Sequence, residues 1–590
     1  MDRKNPAIVA LTALLVALAV AISWTLCKVK PLTEKADTTK GVAVLPFENF
    51  SPDRDNAYFA EGIHAEILTR LATMHDLKVI SRNSIQQYQR KPRNLHDIAK
   101  QLGVSNIVEG SVRKDADQVR VNVQLVSART NSYIWTDTYN RKLIDISAVE
   151  SEIARGIADS LQVKLTAHEA QALTVKPTNK PEAYDAYLRG LAFDARAAYS
   201  NEEQRNAITS YERAVQVDPT FALAWARLCR ADAALYFIRA DQTAARGDVA
   251  RRALENAQEL GRNLPETQLA LGYYQYWVLR DYGLAKNTFA RLSEILPGSS
   301  DILYALGLVT RRQGKWNESV RYFQRCLTLD PRNAEVLSNA AWTYAMLRQF
   351  PAALKLYDRA LEITPDDLDI VAAKAGTYQA EGNLQEAAAL LKEINAQSPI
   401  QPFITKMTHL RLERNHAEAV RLLQARQAQF QFASQIDQAT NQVILAFAQR
   451  LAGNTAEAKA TAGQVRTLLD QLCHDQQNNS FFVQQLALAD AVLGEEKMAL
   501  REAERATALL PSATDPLSGP TRKEVLALVQ MMFGDSSRST SMLSGLLQTP
   551  YISWLYGPMP ATPALLRLDP IWDPLRADRT FQELCEGKQK

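Results

Sequence analysis

The stretch that decides the fold is residues 297–364, which read PGSSDILYALGLVTRRQGKWNESVRYFQRCLTLD (297–330) and PRNAEVLSNAAWTYAMLRQFPAALKLYDRALEIT (331–364). Each line begins with a proline, and Pro365 and Pro399 continue the same interval of 34 residues. Proline lacks the amide donor and disfavours helix in the residue before it, so a helix ends at the same phase each time. A repeat of this length predicts helical hairpins that stack into a solenoid.

Small and aromatic residues also recur in phase inside these two units. The first set is Gly307, Ser319, Phe323, Cys326 and Pro331, and the second is Ala341, Ala353, Tyr357, Ala360 and Pro365. This order resembles the consensus of the tetratricopeptide repeat family. The resemblance implies a repeat array over residues 181–399, followed by degenerate hairpins of the same kind over 400–548.

The totals exclude several classes of protein. A chain of 590 residues is too long for one hydrophobic core, so several domains or a long solenoid are expected. A net charge of +3 offers no basic field, and we therefore expect no nucleic-acid partner. The five cysteines lie far apart in the chain, which provides neither a disulfide framework nor a closely spaced metal pair.

The N-terminal region contains an uncharged apolar run. After a polar tail (1–6), residues 7–27 are long enough to span the hydrocarbon core of about 30 Å. The run predicts a transmembrane helix followed by a linker (28–40), and a cleaved signal peptide is the alternative. Lysine and arginine occur on both sides, so charge does not fix the orientation. From the short N-terminus we expect a single-pass protein of the bacterial inner membrane, with the bulk of the chain in the periplasm.

Residues 41–165 have the pattern of a compact α/β domain. An apolar run at Val42–Leu45 predicts a buried strand, and residues 119–125 alternate as a half-buried strand does. Its hairpin partner is predicted at Tyr133–Tyr139, with Tyr133, Trp135 and Tyr139 on one face. A helix over Ile146–Leu161 completes a mixed α/β layer arrangement. The predicted fold class is this domain, the helical solenoid and one transmembrane helix.

Three segments carry a second resemblance: GVAVLPFENFSPDRDNAYFAEGI (41–63), LGVSNIVEGSVRK (102–114) and VRVNVQLVSARTNSYIWTDTYNRKL (119–143). They resemble the TolB N-terminal-like domain that precedes tetratricopeptide repeats in bacterial proteins. Relatives fuse this domain to DNA-binding, cyclase or kinase domains. A linker (166–180) follows, and the tail (549–590) resembles the tail of such proteins, which implies a cap over the last hairpin.

Residues that could carry chemistry are few. Glu61 and His64 have the spacing of a ligand pair on one helix face, but a lone pair is a weak motif, and a surface or packing role is the stronger interpretation. Phosphate-binding loops, nucleophile elbows and zinc-protease motifs are not found in the sequence. We therefore expect no catalytic, metal or cofactor residues and see no evident small-molecule substrate.

The repeats do suggest a binding groove. The first helix of each hairpin lines the concave side, where exposed positions hold aromatic and arginine side chains of the kind that anchor protein interfaces. The predicted groove residues are Tyr273, Tyr276, Tyr304, Arg311, Arg312 and Trp342. The alternative is that most of them are packing residues between helices.

Together these patterns predict a non-enzymatic, membrane-tethered scaffold that presents the groove to a protein or peptide partner. The alternative is a sensor or regulatory subunit that signals to a separate effector. Signalling across a membrane would need a cytoplasmic output, and only a six-residue tail precedes the predicted transmembrane helix. An enzyme acting on cell-envelope material has no supporting residues.

Overall fold

The computed structural model describes residues 40–88, 94–174, 176–196, 201–237, 243–432 and 434–587. The predicted transmembrane helix (7–27) lies outside these residues. Among the residues described, no helix is both long enough and apolar enough to cross a membrane. The predicted fold class and the predicted inner-membrane location are corrected on this finding: the described architecture is a mixed α/β domain and a helical solenoid.

One mixed sheet forms the centre of the N-terminal domain. Its described strands are β1 (Lys40–Val44), β2 (Glu48–Asn49), β3 (Leu77–Val79), β4 (Asn106–Asp115), β5 (Gln118–Ser127) and β6 (Ser132–Lys142). The strand order is β3-β1-β4-β5-β6, with β2 beside β4. β1 runs parallel to both neighbours, whereas β4, β5 and β6 are antiparallel. Residues 42–45 are fully buried, as expected for a central parallel strand.

Among the described residues, five helices accompany this sheet. They are α1 (Ala57–Ala72), α2 (Arg82–Ile85), α3 (Leu95–Leu102), α4 (Ile146–Ser160) and α5 (Ala167–Ala172). Phe59, Ile63 and Ile67 of α1 are fully buried, because a spacing of four residues places them on one side of the helix. α1 contacts α4 and β4, and α4 contacts β5 and β6.

A β-bulge changes one predicted face of the β5–β6 hairpin. Leu125 pairs with Trp135 but Val126 pairs with Tyr133, so Ile134 is an extra residue. The prediction that Tyr133 shares a face with Trp135 and Tyr139 is wrong, because an extra residue breaks the two-residue alternation. Tyr133 is 68% exposed, whereas Tyr139 is only 6% exposed.

The remainder of the chain consists of helical hairpins. Their helices are α6 (Pro181–Asp194), α7 (Asn201–Val217), α8 (Ala222–Phe237), α9 (Ala244–Gly261), α10 (Pro265–Trp277), α11 (Tyr282–Ile295), α12 (Ser300–Arg312), α13 (Trp316–Leu329), α14 (Ala334–Met346), α15 (Phe350–Leu361), α16 (Leu368–Glu381), α17 (Leu384–Leu390), α18 (Ile400–Leu412), α19 (His416–Gln429), α20 (Gln435–Leu451), α21 (Thr455–Asp475), α22 (Ser480–Leu493), α23 (Glu496–Leu509), α24 (Gly519–Met532) and α25 (Ser536–Leu547). The predicted solenoid is confirmed, and Pro297, Pro331 and Pro365 lie in the turns between hairpins.

The small residues of the repeat lie where helices meet. A Cβ atom built on Gly307 of α12 would lie 2.7 Å from the ring of Phe323 on α13, so only glycine permits this approach. Phe323 and Cys326 are fully buried beside it. The in-phase small and aromatic positions therefore specify how the two helices of one hairpin pack.

The α/β domain contacts the solenoid at two places far apart in sequence. Gly62 of α1 lies against Leu188 of α6, where an added Cβ would be 2.7 Å from the leucine backbone oxygen. On the other side, Ser84 of α2 donates a hydrogen bond to the buried carboxylate of Asp330, which follows α13. The domain therefore contacts the start of the array and its middle.

The C-terminal tail contains α26 (Pro563–Leu568), a 3-10 turn (Pro570–Leu575) and α27 (Arg579–Cys585). It contacts the last hairpin through α27 and the 3-10 turn, and it also contacts α16 through α26. Trp572, which is fully buried, donates from its indole nitrogen to the Tyr556 hydroxyl at 2.9 Å. The tail is thus part of the packed interior of the solenoid.

Candidate functional site

The candidate site is a cavity of about 670 Å³ on the concave side of the array. Its wall comes mainly from the first helices of successive hairpins, namely α14, α16, α18, α20, α22 and α24. Residues 552–558 of the tail complete the lining. Asp369 and Gln401 are exposed members of the wall, so the cavity opens to solvent beside α16 and α18.

The array closes on itself through the loop between α23 and α24. The carboxylate of Asp515 accepts hydrogen bonds from the Tyr282 hydroxyl at 2.9 Å and from the Arg312 guanidinium at 3.2 Å. The Arg312 guanidinium also donates to the Ser518 hydroxyl at 2.8 Å. Because these partners are separated by about two hundred residues, the bonds join a late turn of the solenoid to an early one. The concave side is therefore an interior rather than an open groove.

The tail crosses the same side of the array. Trp342 of α14 donates from its indole nitrogen to the Pro558 carbonyl at 2.8 Å. Arg411 of α18 donates to the Leu555 carbonyl at 2.7 Å and to the carboxylate of Asp569 at 3.1 Å. These contacts hold the tail against the first helices along the length of the cavity.

A buried carboxylate fixes the part of the tail that lines the cavity. Glu524 of α24 accepts hydrogen bonds from the Tyr551 hydroxyl, the Ser553 hydroxyl and the Trp554 backbone amide, each at 2.7 Å. Burial raises the pKa of Glu524, and these hydrogen bonds act in the opposite direction. Such a satisfied network favours one conformation of the tail.

Two buried polar side chains in the wall have no hydrogen-bond partner within the described part of the chain. The amide nitrogen and oxygen of Gln484 on α22 form no hydrogen bond, and the residue is fully buried. The Tyr357 hydroxyl on α15 is likewise unpartnered in a fully buried residue. Buried polar groups are nearly always hydrogen-bonded, so both groups have unused capacity. Their polar atoms are buried behind the cavity surface, so a ligand would reach them only after neighbouring side chains move. Gln485, the next residue, differs: it donates to the Thr440 hydroxyl at 2.9 Å and accepts from Trp554 at 3.1 Å.

The wall combines aromatic rings with a few charges. Trp342, Trp554 and Phe481 are partly exposed within it. Burial and the neighbouring Asp367 carboxylate raise the pKa of Asp369. An apolar and aromatic wall with a few polar groups is typical of a ligand site, and roughly 300–1,000 Å³ is the usual volume of one.

Of the six predicted groove residues, Trp342 lines the cavity. Tyr273 and Tyr276 are buried, with the Tyr273 ring 4.2 Å from Trp277 and the Tyr276 ring 5.3 Å from Phe237.

The other three form contacts within the array. The Tyr304 hydroxyl donates to Glu335 at 2.7 Å. Arg311 donates to Asn339 and Thr343, and its guanidinium lies 4.2 Å from the Trp342 ring. Burial lowers the pKa of Arg311 to about 10. Arg312 belongs to the closure with Asp515, so the predicted set divides into packing, closure and cavity residues.

The sequence-based prediction missed Gln484, Tyr357 and Trp554 as wall residues. A signal for Gln484 is present, because two glutamines and Asp490 interrupt the mainly apolar helix SFFVQQLALADAVL (480–493). The sequence predicts Tyr357 as the aromatic residue in the core of its repeat, and the Tyr357 side chain is indeed buried there. Trp554 lies in the tail, whose path along the concave side has no local sequence signal.

Glu61 and His64 do not act together. The imidazole of His64 is buried and lies 2.9 Å from the Val44 carbonyl, and burial lowers its pKa to about 3. The Glu61 carboxylate instead accepts from Arg196 at 2.9 Å and from Arg82 at 3.4 Å. Both residues have structural roles.

Family comparisons divide the chain in the same way as the fold. Tetratricopeptide repeat models match residues 299–366 and 346–402. The model of the HilA/YgeH-like transcriptional regulator, second domain, matches residues 38–156. The chain thus contains tetratricopeptide repeats, as predicted. The predicted TolB-like identity of the first domain is not supported, because the HilA/YgeH-like model covers that region.

Curated relatives match the chain in part. "Putative adenylate cyclase 3" of Rhizobium meliloti (strain 1021) is 39% identical over 191 residues, which is 32% of each chain. Anaphase-promoting complex subunit 6 of Arabidopsis thaliana is 27% identical over 173 residues, or 28% of this chain and 31% of that protein. The matches therefore span about a third of the length of either relative.

Two solved structures are similar to part of this chain. A tetratricopeptide repeat protein from Parabacteroides merdae ATCC 43184 is 17% identical with a TM-score of 0.33, covering 45% of this chain and 98% of its own. The type IV pilus biogenesis factor PilW is 18% identical with a TM-score of 0.30, covering 36% of this chain and 91% of its own.

Proposed function

We propose that the chain is a non-enzymatic protein-interaction scaffold whose closed interior binds a short extended peptide segment. The tetratricopeptide repeats support the general class, since solenoids of this kind present concave surfaces to partners. The observation that carries the specific proposal is the buried amide of Gln484 just behind the cavity surface, which has no partner among the described residues and which a peptide would reach by displacing wall side chains.

A glutamine amide offers both donor hydrogens and an acceptor oxygen, which is the complement of a peptide group. The Tyr357 hydroxyl adds a second unpartnered group, and the rings of Trp342 and Trp554 supply apolar contact area. The closure through Asp515 and the course of the tail restrict the interior, so a short segment of a partner fits better than a long one.

Selection of random seven-residue peptides displayed on phage, with the full chain as bait, tests this proposal. An enriched peptide is synthesised and its dissociation constant measured by titration calorimetry. We expect Gln484→Leu to weaken binding about tenfold or more, because the peptide group then lacks its partner. Gln385→Leu, the same change at an exposed position of α17, is the matched control and should bind normally. Failure to enrich any peptide, or equal binding by Gln484→Leu, would overturn the proposal.

A second candidate is a regulatory subunit that acts on a separate effector. It is favoured by the HilA/YgeH-like match over residues 38–156 and by the 39% identity to the protein named as an adenylate cyclase. Under this candidate the α/β domain, not the solenoid interior, contacts the effector. Chemical cross-linking in cells followed by mass spectrometry distinguishes the two, since linked lysines would lie within residues 40–160.

A further inference from the structure

Strand β6 lies at an edge of the sheet. Among the described residues it pairs with β5 alone, so one side of its backbone has no strand partner. Nine of its eleven residues are exposed. From Trp135 to Lys142 the pairing with β5 is regular, without proline and without a further bulge. A long regular edge of this kind is a template for pairing with another strand.

The charges on β6 are complementary to those of a second, antiparallel copy of the same strand. β6 carries Asp137 and Arg141, two residues on either side of Tyr139, and the Arg141 guanidinium also lies 3.9 Å from the Glu152 carboxylate of α4. If two copies of β6 lie antiparallel with Tyr139 opposite Tyr139, each Asp137 lies opposite the Arg141 of the other copy. Directly opposite residues of antiparallel strands share a face and interact, and opposite charges there are favourable. The symmetry produces this ion pair twice.

Apolar residues lie at both ends of the same edge. Ile134 at the bulge and Ile144 just after β6 are each 41% exposed. The antiparallel arrangement brings the Ile144 end of one copy beside the Ile134 end of the other. Pairing would therefore cover apolar surface in addition to the backbone groups.

We infer that β6 is a homodimer interface, in which the edge strands of two copies of this chain pair antiparallel about Tyr139 and join their sheets. The strand that pairs with β6 is the β6 of a second molecule, because the charges of β6 match those of an antiparallel copy of itself. An interface formed twice by the same patch is the arrangement expected of a two-fold dimer. The inference is independent of the peptide site in the solenoid.

A charge exchange tests the register. Sedimentation equilibrium of the full chain should show a reversible dimer for the wild type. Asp137→Arg and Arg141→Asp each place like charges opposite one another twice. Each should therefore raise the dissociation constant of the dimer about tenfold or more. Both positions are exposed, so the variants should fold.

The double variant Asp137→Arg/Arg141→Asp restores both ion pairs with their signs exchanged. It should dimerise more tightly than either single variant, and it should fall short of the wild type only by the effect of the new carboxylate at position 141 beside Glu152. A monomeric wild type at micromolar concentration would overturn the inference. So would single variants that dimerise as well as the wild type, or a double variant that remains as weak as either single one.

Discussion

Replacement of Gln484 by leucine separates a ligand site from an ordinary buried residue. Gln484 and Gln485 are adjacent on α22 and both are fully buried, but within the described residues only the Gln485 side chain has hydrogen-bond partners. A buried polar group without a partner costs about 1–3 kcal/mol, whereas an intramolecular hydrogen bond contributes about 1 kcal/mol. Leucine is close to glutamine in volume and removes the unpartnered amide. We therefore expect Gln484→Leu to raise the free energy of unfolding of the empty protein by about 1–3 kcal/mol.

The neighbouring change provides the matched comparison. Gln485→Leu removes two hydrogen bonds and leaves the Trp554 indole nitrogen without its acceptor. It should lower the free energy of unfolding by about 2–4 kcal/mol, the combined cost of the lost bonds and the unpartnered donor. Two identical substitutions at adjacent buried positions are thus expected to have opposite signs.

Amide hydrogen exchange of α22, together with urea midpoints followed by tryptophan fluorescence, measures both variants. Exchange reports the local opening of the helix in a chain that need not unfold in one step. If Gln484→Leu destabilises α22 as much as Gln485→Leu does, the Gln484 amide is already satisfied in the empty protein, and the reasoning for an unoccupied peptide site fails. A bound peptide should stabilise the wild type but not the Gln484 variant.

Two further results are expected. Asp515→Asn should weaken the closure of the solenoid by about 1.5–3 kcal/mol, because the Tyr282 and Arg312 donors lose a charged acceptor. Small-angle scattering should show a larger radius of gyration, and the backbone amides of residues 511–518 should exchange faster. Unchanged values would show that packing alone closes the solenoid. His64 should make the α/β domain sensitive to acid. Its pKa is lowered from 6.5 to about 3 in the folded state, so between these pH values only the unfolded state binds a proton at this imidazole. The stability that depends on His64 is therefore full above pH 6.5 and falls by about 1.4 kcal/mol per pH unit below it. His64→Gln should flatten this slope in urea titrations at several pH values, and a slope that persists would assign it to other groups.

The sequence predicted the features that arise within one hairpin. The proline interval and the in-phase small and aromatic residues depend on contacts between neighbouring helices, such as Gly307 against Phe323, and these are encoded over about thirty residues. The alternation in β5 is equally local. The bulge at Ile134 was not predicted, because the sequence of β6 alone does not show which residue is extra. Only the pairing with β5 identifies it.

The contact between the early and late turns of the solenoid could not be predicted in the same way. Arg312 and Asp515 meet because small rotations between successive hairpins accumulate over the array, and no local pattern records their sum. For this reason Arg311 and Arg312 were placed on an open concave surface, whereas the structure engages both in internal contacts.

Closure also changes which partners the interior can accept. An open solenoid groove accumulates contacts along an extended ligand, but here the tail already occupies much of that path, with Trp342 bonded to Pro558 and Arg411 bonded to Leu555. The candidate cavity remains open, and its exposed wall residues lie beside α16 and α18. Specificity must then come from the few groups inside it, and an unpartnered amide discriminates strongly, since a ligand that fails to meet it leaves a buried donor and acceptor unsatisfied. The interior is therefore suited to recognising a short segment by its hydrogen-bonding pattern rather than by contact area.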